Sequence, residues 1–168
     1  MGLFDDIKKG TKAAVSKAIV ETEKRKEEAD RKKALGYLPD VTIKAEYKGG
    51  HPLLDKEKGC TLQISNDYLS ITCGGKVAGI QYEDITGIHY ETAEQINRRI
   101  TATRILALGV FALAFKKKQK DTTKYLTIDF KESGLDCTTV ISGNKSNEAY
   151  SKLFERYSNY VKRANGSI

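Results

Sequence analysis

Leu62-Gln63-Ile64-Ser65-Asn66-Asp67-Tyr68-Leu69-Ser70-Ile71-Thr72-Cys73-Gly74-Gly75-Lys76 decides the fold. Apolar residues fall at every second position, at Leu62 and Ile64 and again at Leu69, Ile71 and Cys73. Side chains of a strand alternate between its two faces, so each run covers one buried face. Asn66-Asp67 between the runs and Gly74-Gly75 after them supply the backbone freedom of tight hairpin turns. The same period continues downstream at Ile80 and Tyr82, then at Ile88 and Tyr90. Upstream it starts at Val41 and runs through Ile43, Ala45 and Tyr47. A polar loop, 48–59, is expected between the first two strands. Two further strands are predicted at Leu126, Ile128, Phe130 and at Cys137, Thr139, Ile141, with a turn at Ser133-Gly134.

Helical signals flank this block. Residues 146–164 place Ala149, Leu153, Phe154, Tyr157, Tyr160 and Val161 on one face at helical spacing. Ser146 is the expected N-cap, and Lys162 and Arg163 fall in the last turn. Residues 3–34 also read as helix. From 3 to 19 it is amphipathic, with Leu3, Phe4, Ile7, Ala14, Val15, Ala18 and Ile19 against lysines. From 21 to 33, eleven of thirteen residues are charged, which predicts a solvated spacer rich in i,i+4 pairs. Gly36 and Pro39 should end it. Residues 92–115 are ambiguous between helix and a buried hairpin turning near Gly109.

The chain has 168 residues, 39% apolar and 30% charged, with a formal net charge of +7. That fits one domain of about 40–165 with an N-terminal arm over 1–38. The excess charge is local. Arg98, Arg99, Arg104, Lys116, Lys117, Lys118, Lys120 and Lys124 stand against Asp121 alone, and the remaining chain balances 21 bases with 21 acids. This segment is the candidate anion- or membrane-binding site. Leu3, Phe4 and Ile7 are the candidate residues for insertion into a membrane or partner.

The order of elements is that of a pleckstrin-homology-like (PH-like) fold. Tyr82-Glu83-Asp84-Ile85-Thr86-Gly87-Ile88 resembles a strand start of bacterial PH-like domains. Arg99-Ile100-Thr101-Ala102-Thr103-Arg104, Ala112-Leu113-Ala114-Phe115-Lys116-Lys117-Lys118 and Tyr125-Leu126-Thr127-Ile128 are similar to a pattern in bacterial and prophage proteins of that class. The resemblance covers about 40–163. It implies an α+β protein, a PH-like antiparallel β-barrel or sandwich capped by a C-terminal amphipathic helix. It also implies a binding module without catalysis. Lys44 and Lys48 match the basic residues that flank the first hairpin in lipid-binding members, but the second strand, 61–65, contains no base.

Residues that would carry chemistry are sparse. His51 and His89 have no second histidine or cysteine at metal-ligand spacing. Gly74-Gly75-Lys76 lacks the remainder of a P-loop frame. Cys60, Cys73 and Cys137 are odd in number and irregular in spacing, which reads as buried thiols in a reducing compartment. Asp129 and Asp136 show no sign of a shared site. The N-terminus reads as neither a signal peptide nor a myristoylation motif. The expectations are therefore no catalytic residue, no metal and no cofactor. The protein is expected in the cytoplasm, free or peripheral at the inner face of the membrane. The expected partner is a protein or an anionic lipid surface, and the N-terminal helix is an anchor or a homo-oligomerisation arm. Nucleic acid bound by 98–124 is the less favoured alternative, and a phage-encoded inhibitor of a host protein is another.

Overall fold

The computed structural model describes residues 3–54, 58–100 and 122–166, with side chains in the first helix from residue 16 onward. It is an α+β fold. Residues up to Tyr37 form one unit and those from Leu38 onward a second.

The first unit is helix α1, Leu3–Ala34. Gly36 takes a left-handed φ of 72°, and the N–H groups of Gly36 and Tyr37 return to the carbonyls of Lys33 and Lys32. This closes the helix as a glycine C-cap does. Glu21–Arg25 and Glu28–Lys32 form i,i+4 ion pairs at 2.7 and 2.8 Å. Ile19 and Val20 are 53% and 49% exposed. Leu3, Phe4 and Ile7 lie on α1, but their side chains fall outside the described set.

The second unit contains, among the described residues, seven strands in one antiparallel sheet. They are β1 Val41–Gly49, β2 Lys58–Ile64, β3 Tyr68–Cys73, β4 Lys76–Gln81, β5 Ile85–Thr92, β6 Lys124–Glu132 and β7 Leu135–Ser142. Their order is β4-β3-β2-β1-β7-β6-β5. The alternation expected from the sequence is the observed burial pattern. Ile43, Tyr47, Leu62, Ile64, Leu69, Ile71, Ile80, Tyr82, Leu126, Ile128 and Phe130 are almost wholly buried in one core. Gly74 and Gly75 both have positive φ, as a two-residue hairpin turn requires.

Three expectations about the sheet and its connections need correction. Among the described residues the sheet is not closed by backbone pairing, because consecutive strands β4 and β5 lie at its opposite ends. A 3-10 turn, Tyr82–Asp84, separates them and redirects the chain, so no hairpin forms there. The polar loop between β1 and β2 is not simply solvated. His51 and Leu54 are buried, and the Tyr47 hydroxyl accepts from the His51 N–H at 2.8 Å and donates to the Leu54 carbonyl at 3.1 Å. Strand β2 also starts at Lys58, three residues earlier than expected, so it does carry a base.

Helix α2 is Ala93–Arg99, which resolves the first part of the ambiguous stretch as helix. Thr92 and Gln95 form a reciprocal capping box at its start. Residues 101–121 lie outside the described set. Helix α3, Ser146–Ala164, closes the chain. Its N-cap is Lys145, not Ser146, which is the first helical residue and is buried. Leu153 and Ala149 enter the core, while Tyr157 and Tyr160 pack edge-on against Tyr82. Phe154, expected on the buried face, is 49% exposed. Arg156, which lies outside the expected apolar face, is 3% exposed, and its Nη2 donates to the Pro39 carbonyl at 2.6 Å.

Candidate binding surface

Strand β6 is buried on both faces. Leu126, Ile128 and Phe130 face the main core, and Tyr125, Thr127 and Asp129 face the other way. On that second face Ala93, Ile96, Ile100, Tyr125 and Val140 form a small separate apolar cluster. Beside it lies a polar network with Arg99 at its centre. Arg99 Nε donates to both Glu91 carboxylate oxygens at 3.1 and 3.2 Å, and Nη2 donates to Glu91 Oε1 at 2.5 Å and Thr127 Oγ1 at 3.0 Å. Its Nη1 donates to Asp129 Oδ2. Thr127 and Thr138 donate their hydroxyls to Glu91 and Asp129, each at 2.6 Å. His89 Nε2 stands 3.3 Å from Asp129 Oδ2.

The members come from four elements. Glu91 and His89 belong to β5, Thr127 and Asp129 to β6, Thr138 to β7 and Arg99 to the end of α2. Gly87 makes the crowding possible, since a Cβ there would stand 2.7 Å from His89 Nε2 and 3.3 Å from Asp129 Oδ2. Burial opposes the guanidinium charge, but the hydrogen bonds to Glu91 and the field of Asp129 outweigh it and hold the Arg99 pKa above its ordinary value. A planar fork with five donors suits two carboxylates, which a lysine could not bridge in the same way.

Of the eight basic residues singled out in the sequence, three are described, and the structure does not treat them alike. Arg99 is consumed by the network. Arg98 is exposed and pairs with Glu94 one turn back, at 2.5 Å. Lys124 opens β6, with its Nζ 5.7 Å from the centre of the Tyr90 ring, a cation–π distance. Arg104, Lys116, Lys117, Lys118 and Lys120 lie outside the described residues. Tyr90 stacks on Tyr150 at 5.5 Å, and Tyr150 meets Phe154 at 5.9 Å. Lys124, Tyr90, Tyr150 and Phe154 thus make a strip across β6, the edge strand β5 and α3. Its far end is the exposed Phe154. In the sequence Tyr90 reads as a strand position and Phe154 as a helix position, and nothing there singles out Tyr150.

His51 is 2% exposed and stacks on Phe130, with ring centres 5.2 Å apart. Its Nδ1 accepts from the Leu53 N–H at 3.2 Å. Burial lowers its pKa, against the opposing pull of Glu132 and of the Gly79 carbonyl. Lys48 pairs with Glu46 at 3.0 Å, and this contact lowers the Glu46 pKa. Asp136 lies opposite Lys131 and takes no part in the Asp129 network. Among the described residues no group of three His, Cys, Asp or Glu side chains is placed to hold a metal. Among them, too, no helix is long and apolar enough to cross a membrane.

No protein-family model matches the chain, and no curated protein matches it. Among solved structures, a similar one is the C-terminal domain of an unknown protein from Leishmania infantum. The two are 15% identical with a TM-score of 0.43, over 82% of this chain and 97% of that one.

Proposed function

We propose that the chain is a non-enzymatic binding module of PH-like type that engages a protein or anionic membrane partner. The second unit is compatible with that architecture in its strand order and C-terminal helix. The observation that carries the reading is the Lys124–Tyr90–Tyr150–Phe154 strip. It sets an exposed aromatic ring beside a cation, at the place where the basic segment rejoins the sheet. Exposed aromatic and cationic groups together are the usual chemistry of docking to an anionic interface. In this reading Lys116, Lys117, Lys118 and Lys120 add the attraction that Arg99 does not. Helix α1, with Ile19 and Val20 exposed, serves as anchor or oligomerisation arm.

Co-sedimentation with phosphatidylserine vesicles at low salt tests the membrane arm. The full chain is expected to sediment, and the chain lacking residues 1–20 to remain in solution. Replacing Lys116–Lys118 with Ala should weaken binding about a hundredfold, at about 1 kcal/mol per lysine near an anionic surface. Phe154→Ala should weaken it further. No sedimentation at low salt removes the membrane reading and leaves a protein partner. Nucleic-acid binding whose salt slope flattens in the triple-lysine variant would favour that alternative.

A further inference from the structure

Cys60 and Cys73 are thirteen positions apart in sequence, yet they face each other across β2 and β3. Both point to the core side of the sheet and are 6% and 7% exposed. The ladder fixes which kind of pair they make. Ser65 donates its N–H to the Tyr68 carbonyl at 3.0 Å, which makes 65 and 68 a hydrogen-bonded pair. Pairing alternates along an antiparallel ladder, so 63 with 70 and 61 with 72 are bonded, and 60 with 73 is not. In a non-bonded pair the Cα atoms approach to about 4.5 Å. That lies within the separation of about 4.4–6.8 Å that a disulfide bridges.

We propose that Cys60 and Cys73 form a reversible dithiol–disulfide couple that clamps β2 to β3. The pair is the terminal one of the β2–β3 ladder, next to the Gly74–Gly75 turn. Lys58, Gly59, Gly74, Gly75 and Lys76 around it are all exposed, so a small opening of the hairpin end admits a reagent. The third thiol, Cys137, is on β7 and opposite Phe130, outside this pair.

The two sulfurs are not equivalent. Burial raises both thiol pKa values, that of Cys60 to about 12. The Cys60 thiol donates to the Cys73 sulfur, and the Lys58 ammonium lies nearby, so both favour the thiolate at Cys73. The Lys58 chain is draped over the turn, its Nζ 3.1 Å from where a Cβ on Gly74 would stand. Cys73 is therefore the attacking sulfur and Cys60 the resolving one. With a small-molecule disulfide such as oxidised glutathione, the Cys73 thiolate attacks one sulfur and expels one glutathione thiolate. Cys60, losing its proton, then attacks Cys73 Sγ and expels the second. The protein loses two electrons and two protons, and the oxidant becomes two thiols.

The test treats the full chain with oxidised glutathione, then alkylates it after denaturation and maps its peptides. The expected product has one alkylated cysteine, Cys137, and a mass lower by two hydrogen atoms before alkylation. Its cross-linked peptide joins 60 to 73, its Tm is several degrees higher, and dithiothreitol reverses all of these. In Cys60→Ser, glutathione should remain trapped on Cys73, whereas in Cys73→Ser Cys60 should react much more slowly. Three alkylated cysteines in the oxidised sample, or a bridge to Cys137, would overturn the proposal. Faster trapping at Cys60 than at Cys73 would overturn the assignment of the two roles. The peptide map of the unsubstituted chain decides the pair even if neither serine variant folds.

Discussion

Arg99 shows how much one side chain's surroundings matter. Its partners Glu91 and Asp129 are 8% and 4% exposed as residues, so both carboxylates have been largely withdrawn from water. With the guanidinium in place they are paired and hydrogen-bonded, and two threonine hydroxyls complete the shell. Removing the arginine would strand two neighbouring negative charges. Breaking a buried ion pair from one side costs about 3–5 kcal/mol, far more than a surface pair is worth. Arg99→Met is accordingly expected to lose about 3 kcal/mol or more in urea unfolding. Arg98→Met, which removes only an exposed pair, should lose under about 1 kcal/mol. Equal losses in the two variants would contradict this account. The distinction was not readable in the sequence, where Arg98 and Arg99 are adjacent members of one basic cluster. Their fates separate because the helix turns the two side chains about 100° apart, one toward the sheet and one toward water.

At the scale of elements, the β1–β2 connection is the least expected feature. Its composition, with Gly49, Gly50, Pro52 and charges, reads as a solvated loop. Instead Tyr47 clasps it from below, and His51 and Leu54 fill the core beside Phe130. A buried neutral histidine ties this loop to pH. The folded pKa of His51 lies below its ordinary value of 6.5 because burial disfavours the imidazolium. As pH falls through 6.5, the unfolded chain takes up a proton that the folded chain resists, so stability declines on the acid side. Above that pH both states are neutral and His51 contributes no slope. His51→Phe should therefore flatten the fall in Tm between about pH 7 and pH 5 relative to the parent chain, measured by thermal melts across that range. An unchanged difference between the two proteins over that interval would refute the assignment. The strands and α3 followed their sequence periodicity closely, since period two and period 3.6 are properties of the backbone itself. The exceptions on α3 are Arg156, buried where it donates to the Pro39 carbonyl, and Phe154, which is exposed.

On the scale of the whole molecule, both apolar clusters are formed, among the described residues, from Val41 onward. Deleting residues 1–37 is thus expected to leave Tm within a few degrees of the full chain and the near-ultraviolet dichroism of the tyrosines intact. A truncated chain that fails to fold cooperatively would contradict this. The sequence by itself determined the strand positions, the two long helices, the turns and the local concentration of charge. These follow from short-range periodicity, glycine conformation and composition, which need no partner distant in the chain. Only the tertiary structure decided that β4 and β5 end the sheet, that Arg99 is spent on Glu91 and Asp129, and that Cys60 meets Cys73 across a ladder. It also brought Lys124, Tyr90, Tyr150 and Phe154 into one strip. Each of these depends on long-range contacts, strand order and register above all, which join residues as distant as Glu46 and Ser142 and leave no periodic mark on the sequence.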